Sequence, residues 1–113
     1  MHEISLAGGI LTLVTQARER DPFTRVSQLR IQVGALSGVE VSALQFALEA
    51  IAPGTVMENA TFTMEETPGS AWCPDCSVTV PVFSRLDLCP RCNNAQLNPI
   101  GGQELRLLDL IVA

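Results

Sequence analysis

The sequence predicts an α+β fold, and three kinds of pattern lead to this prediction. Two segments carry apolar residues at helical spacing, three segments alternate or run apolar over the length of a strand, and four cysteines stand in two Cys-x-x-Cys pairs. Paired cysteines at this spacing are typical of a small metal-bound module. We therefore expect a small three-stranded sheet with two helices, into which a zinc-ribbon module is inserted.

The first helix and the first strand follow from hydrophobic periodicity. Apolar residues recur every three or four positions between residues 4 and 20, which predicts an amphipathic helix. Pro22 stops this helix, because the residue before a proline is pushed out of helical conformation. Residues 26–33 then alternate apolar and polar, the pattern of a half-buried strand.

The second helix and the second strand have local start and stop signals. Ser37 and Glu40 have the spacing of a capping box, which predicts that Ser37 caps a helix whose apolar stripe follows. Pro53 and Gly54 close that helix. Residues 60–66 alternate again and predict the second strand.

The third strand, residues 104–112, is apolar on both faces, so we expect neighbours to cover it on both sides. Such a strand does not suit a small ribbon, and we predict that it returns to the main sheet after a flexible Gly101-Gly102 exit. The predicted domains are therefore residues 1–69 together with 99–113, and an inserted ribbon of residues 70–98.

Composition and charge exclude several classes of function. The net charge of −5 argues against a nucleic-acid backbone as the main partner, since phosphate binding depends on clustered basic residues. No apolar run approaches the ~20 residues that a membrane span requires, and the N-terminus lacks the pattern of a signal peptide. We expect a cytoplasmic protein whose thiols stay reduced.

The four cysteines are the strongest chemical signal in the chain. Each pair fits one tight turn that aims two sulfurs at one point, and four thiolates suit a closed, structural, tetrahedral Zn²⁺ site. A redox motif or two disulfides are the alternatives, but a redox Cys-x-x-Cys normally appears once and opens a helix after a strand. The predicted zinc ligands are Cys73, Cys76, Cys89 and Cys92.

The N-terminus offers a second candidate metal site. His2 is the only histidine, and the α-amine of Met1, the backbone nitrogen of His2 and its imidazole can close fused chelate rings around one ion. That planar nitrogen field suits Ni²⁺ or Cu²⁺ rather than zinc. A histidine at this position is also commonly a solvent-exposed residue without a role.

Several landmarks together resemble the HypA family of hydrogenase nickel incorporation proteins. They are Met-His-Glu at the start, Val-Gly-Ala-Leu-Ser-Gly-Val-Glu at residues 33–40, the paired Cys-x-x-Cys motifs and Glu-Leu-Arg-Leu near the end. The resemblance implies a nickel site at Met1, His2 and Glu3, with Glu40 in support. Glu40 as part of a capping box, and Glu3 as an acid in the first helical turn, are the alternatives. Family members often carry a histidine after a cysteine pair, where this chain has Ser77 and Asn93.

The function implied by this resemblance is that of a nickel metallochaperone and not of an enzyme, with no catalytic residue. It would hold structural Zn²⁺ and cargo Ni²⁺ and deliver nickel to the large-subunit precursor of a nickel-iron hydrogenase. The resemblance implies the GTPase HypB as a partner and a link to urease maturation. We expect a monomer or weak homodimer that binds neither nucleic acid nor membrane. The rival hypotheses are a zinc-ribbon adaptor for nucleic acid or a transcription complex, and a thiol oxidoreductase.

Overall fold

The computed structural model describes residues 2–113, which form two helices and six strands in two three-stranded sheets. The first sheet has the strand order β2-β1-β6 and the second has the order β4-β3-β5. The elements are α1 His2–Arg20, β1 Val26–Gly34, α2 Val41–Ile51, β2 Thr61–Thr67, β3 Gly69–Cys73, β4 Val78–Val82, β5 Asn98–Gly101 and β6 Leu105–Val112. The predicted α+β class is confirmed, as is the return of the last strand to the main sheet. Within the cysteine region, three short strands, β3, β4 and β5, form the second sheet.

The chain divides into two compact units, Met1–Ile31 with Glu40–Glu65 and Leu107–Ala113, and Gln32–Val39 with Glu66–Arg106. All residues of the predicted ribbon, 70–98, belong to the second unit. The domain boundaries proposed from the sequence, residues 1–69 with 99–113 against 70–98, remain a prediction. Among residues 2–113, neither helix is both long and apolar enough to cross a membrane.

The first unit has an aliphatic core in which α1 packs against α2. The apolar stripes that predict the two helices supply this core, because residues three and four apart lie on one helical face. β1 contributes the inward-facing apolar side chains of its alternating pattern. The buried side chains that these three elements contribute to the first unit are Ala7, Ile10, Val14, Val26, Leu29, Ile31, Leu44, Ala47 and Leu48.

Arg30 links the three strands of the first sheet. It belongs to the polar half of the alternating pattern of β1. Its guanidinium contacts Glu65 of β2 at 2.6 Å and Asp109 of β6 at 2.9 Å. Each pair is partly exposed and stabilises the fold only weakly, so the main effect is to favour one register of the strands.

The burial expected for the last strand is wrong. β6 lies at the edge of its sheet, and Ile111 and Val112 are about half exposed, with relative accessibilities of 53% and 45%. Elements that pack on a sheet need not reach its edge strand, so apolar residues on both faces do not imply that both faces are covered.

The helix start predicted at Ser37 is also wrong. Glu40 is the N-cap of α2, and its carboxylate accepts hydrogen bonds from the backbone N–H groups of Ser42 and Ala43. The Ser37 hydroxyl accepts instead from the N–H of Val39 at 3.2 Å. Gly38 has φ +76, a left-handed conformation that a helix cannot include, and it delays the helix start.

Glycines of the second unit allow backbones to approach closely. Gly102, with φ +86, accepts a hydrogen bond from the Leu36 N–H at 2.8 Å through its carbonyl oxygen. A Cβ on Gly34 would overlap that carbonyl oxygen, and a Cβ on Gly102 would overlap Gly69. The predicted flexible exit at Gly101-Gly102 is therefore a tightly packed crossing.

We expect Gly34→Ala to destabilise the protein by about 1–3 kcal/mol, because the added methyl group meets backbone atoms that cannot move aside. Gly9→Ala is the matched control at an exposed position of α1, where nothing lies within 4 Å of the new Cβ. It should stabilise by up to about 1 kcal/mol through helix propensity. Urea unfolding of the zinc-loaded proteins measures both, and wild-type stability of Gly34→Ala would contradict the close approach.

Candidate metal centre

The two Cys-x-x-Cys turns have the same backbone construction. The N–H of Ser77 donates to the carbonyl oxygen of Cys73 at 2.8 Å, and the N–H of Asn93 donates to that of Cys89 at 2.8 Å. Ser77 and Asn93 both have positive φ, 53° and 61°. The residue after each cysteine pair thus adopts a left-handed backbone conformation, and this closes the chain around the sulfurs.

Backbone amides also point at the sulfurs. The N–H of Cys76 donates to the Cys73 sulfur, and the N–H of Arg91 donates to the Cys89 sulfur, each at 3.4 Å. Hydrogen bonds of this kind stabilise a thiolate over a thiol. The turns therefore provide both the geometry and the electrostatics for bound metal.

The sulfur atoms of the four cysteines converge at one point. The ligand atoms all lie within 4.8 Å of one another, and the Cys73 and Cys92 sulfurs are 3.6 Å apart. Four sulfurs placed tetrahedrally about 2.3 Å from one ion would lie about 3.8 Å apart, which this cluster fits. All four cysteines are free, so the disulfide alternative does not apply.

The thiols do not ionise together by themselves. Burial opposes ionisation of Cys89, but N–H donors from Arg91 and Cys92 and the neighbouring thiols lower its pKa to about 7. Hydrogen bonding with the Cys92 thiol, and then burial, raises the pKa of Cys76 to about 12. Because a bound cation favours every thiolate, the cluster suits a doubly charged soft metal such as zinc.

At the N-terminus, α1 begins at His2, whose side chain is exposed. The first four N–H groups of a helix have no intrahelical partner, so the His2 backbone nitrogen is free of the helical hydrogen-bond pattern. Met1, the third member of the predicted chelate, lies outside the described residues.

The structure brings Glu3 and Glu40 together. A Glu3 carboxylate oxygen accepts a hydrogen bond from the backbone N–H of Glu40 at 3.4 Å. The pKa of Glu3 is lowered first by its own backbone amide and then by that of Glu40. The carboxylate is therefore held ionised at the start of α1, where the helix dipole alone would repel a cation.

Glu40 directs its carboxylate into the first turn of α2. The Ser42 hydroxyl donates to it at 2.7 Å, and the Ala43 N–H donates at 2.8 Å. These two groups, in this order, lower the pKa of Glu40. Glu40 thus contacts Glu3 through its backbone and α2 through its side chain.

Within residues 2–113, the cysteines are the only group of three or more His, Cys, Asp or Glu side chains whose ligand atoms converge. The side chains of His2, Glu3 and Glu40 do not form such a group. Ser42, which the sequence analysis did not single out, is the hydroxyl that fixes Glu40. Its position two residues after an acidic N-cap is the signal that could have indicated it.

Comparison with known proteins identifies the family. A family model described as "Hydrogenase/urease nickel incorporation, metallochaperone, hypA" matches residues 1–112. The chain belongs to the HypA family. The hydrogenase maturation factor HypA of Polaromonas naphthalenivorans is 56% identical over 113 residues, covering 100% of this chain and 98% of the relative. That of Cupriavidus necator is 50% identical over 112 residues, covering 99% and 94%.

Solved HypA structures share the fold. The solution structure of the nickel metallochaperone HypA from Helicobacter pylori has a TM-score of 0.69 at 21% identity and covers 99% of this chain and 97% of that one. A second solution structure of a HypA protein also has a TM-score of 0.69, at 22% identity, covering 100% and 97%. This is a family of nickel incorporation metallochaperones for hydrogenase maturation, and the present member has a four-cysteine cluster that can bind zinc.

We expect Cys73→Ser to lose zinc and to loosen the second unit, because an alcohol is a much weaker ligand than a thiolate and Cys73 is fully buried. Ser77→Gly is the matched control, since glycine adopts the positive φ of this position and removes no ligand. Zinc content and protease mapping measure the effect. Full zinc occupancy in Cys73→Ser would contradict the four-sulfur site.

Proposed function

We propose that this protein is a nickel metallochaperone that binds one Ni²⁺ at Met1, His2 and Glu3 and delivers it to the large-subunit precursor of a nickel-iron hydrogenase. The match of residues 1–112 to the nickel incorporation family is the observation that carries this proposal. Zn²⁺ in the site of Cys73, Cys76, Cys89 and Cys92 has a structural role. The protein acts as a carrier and performs no catalysis.

The chemistry of the two sites supports a division of roles. Four thiolates in a closed tetrahedron leave no open position, so they retain their metal. Nitrogen ligands at a chain end lie at the surface and can separate one by one, which suits a cargo. By the Irving–Williams order the nitrogen site prefers Cu²⁺, so supply and docking must select nickel in the cell.

The N–H of Glu40 and the carboxylate of Glu3 form the support of the proposed nickel site. The contact between them holds Glu3 beside His2 at the start of α1. An ionised Glu3 offsets the positive end of the helix dipole, which otherwise disfavours a bound cation. Glu40 therefore supports nickel by positioning Glu3, with its own carboxylate engaged by α2.

The hydrogenase precursor and the GTPase HypB are the proposed partners. A carrier with an exchangeable site needs a recipient that docks beside that site and takes over its ligands one at a time. The cytoplasm is the compartment we propose, since thiols stay reduced there. Convergence of all four sulfurs on one point favours metal retention over thiol–disulfide chemistry.

Replacing His2 tests the cargo site. Untagged wild-type protein should carry one nickel and one zinc in native mass spectrometry, while His2→Gln should carry zinc alone, because the only imidazole is lost. Glutamine keeps a bulky residue after Met1, so the free amine stays in place. Undiminished nickel binding by His2→Gln would show that the N-terminal assignment is wrong.

A pair of variants tests the role of Glu40. Serine is a favoured N-cap, so Glu40→Ser should keep the start of α2 and the backbone donor to Glu3, and nickel binding should persist. Glu3→Gln should weaken nickel binding, since it removes the anionic charge. Isothermal titration calorimetry with Ni²⁺ compares the nickel affinity of the two variants. Equal loss of nickel in both variants would instead assign the Glu40 carboxylate to the metal.

A further inference from the structure

The loop between β4 and the second cysteine pair is held in one conformation by its own polar groups. We call residues 83–88 the apolar loop. The Asp87 carboxylate accepts from the N–H groups of Phe83 at 2.7 Å and Ser84 at 3.2 Å. The Ser84 carbonyl oxygen accepts in return from the Asp87 N–H at 3.1 Å, and the Ser84 hydroxyl accepts from the Leu86 N–H at 3.1 Å.

This fixed turn exposes three large apolar side chains. Phe83 is 67% exposed, Leu86 is 89% exposed and Leu88 is 50% exposed. One exposed leucine is ordinary, but three such residues on six positions of an ordered loop form a surface typical of docking sites. Because the loop is already ordered, a partner would lose little conformational entropy in binding it.

Phe83 also lines a groove of about 330 Å³ in the same unit. The walls are mostly apolar side chains and backbone, and among residues 2–113 that line the groove Glu66 is the only charged one. The lining residues are Val33, Gly34, Ala35, Val39, Glu66, Thr67, Pro68 and Phe83.

The carboxylate of Glu66 is available for a ligand. Glu66 is exposed and its carboxylate makes no hydrogen bond or ion pair with any residue between 2 and 113, whereas the Asp87 carboxylate is engaged by two amides. The nearest cation in sequence to Phe83, Arg85, donates to the Leu36 carbonyl oxygen at 3.1 Å.

We propose that this groove binds an arginine or lysine side chain of a partner protein, whose apolar flanking residues pack on the apolar loop. The methylene stem of such a side chain suits apolar walls, and its charged head suits the Glu66 carboxylate. The exposed ring of Phe83 adds a favourable face for a cation. Glu66 repels anionic lipid and phosphate, so the charge of the groove selects a basic protein segment.

The proposal goes beyond nickel carriage, because no nickel ligand lines the groove. Its test is an NMR titration of ¹⁵N-labelled, zinc-loaded protein with the peptide acetyl-Gly-Leu-Arg-Leu-Gly-amide. The matched probe carries citrulline, a neutral isostere, in place of arginine. We expect the arginine peptide to shift the amides of Gly34, Thr67 and Phe83 and to bind about threefold to fivefold more tightly than the citrulline peptide, since the contact of a cation with an exposed carboxylate is lost.

Glu66→Gln should weaken binding of the arginine peptide about threefold to fivefold, to the level of the citrulline probe. Glu104→Gln is the control, since it makes the same change of charge at an exposed carboxylate of the same unit outside the groove. Equal binding of both peptides, shifts away from the groove, or wild-type affinity of Glu66→Gln would overturn the proposal. Self-association in ultracentrifugation that Glu66→Gln abolishes would also overturn it, by making a second copy the occupant.

Discussion

Convergence of four cysteine sulfurs on one point is the constraint on which the second unit depends. Apart from Cys73 and Cys89, the buried cluster of this unit contains only four residues of modest size, Leu36, Ala71, Val80 and Val82. At about 25 cal/mol per Å² of buried apolar surface, so few side chains cannot offset about 1–2 kcal/mol of backbone entropy for every ordered residue. Metal binding must therefore supply much of the folding free energy of this unit.

The first unit is stabilised in a different way, by apolar packing. An aliphatic core of α1, α2 and β1 holds the unit without a metal. The start of α1 carries an exposed His2 and a Glu3 carboxylate that accepts a hydrogen bond from the amide of Glu40. The nickel site proposed at this edge would gain or lose an ion without disturbing the packing beneath it.

Sequence reasoning succeeded where local pattern determines structure. Hydrophobic period predicted both helices and the strands of the main sheet, and cysteine spacing predicted the sulfur cluster. It failed where the outcome depends on distant segments. The edge position of β6 and the crossing at Gly102 arise from pairing of segments far apart in the chain. The cap at Glu40 is a local exception, because the left-handed turn at Gly38 delays the helix start. The groove at Glu66 is assembled from three separate stretches, so no single motif marks it.

The identity of the atoms around nickel tests the central claim most directly. X-ray absorption spectroscopy at the nickel edge, on zinc-loaded protein with its native N-terminus, distinguishes nitrogen and oxygen ligands from sulfur. A first shell of nitrogen and oxygen alone is the predicted result, with zinc retained in its sulfur site. A nickel shell containing sulfur would place the cargo among the cysteines and contradict the separation of the two sites.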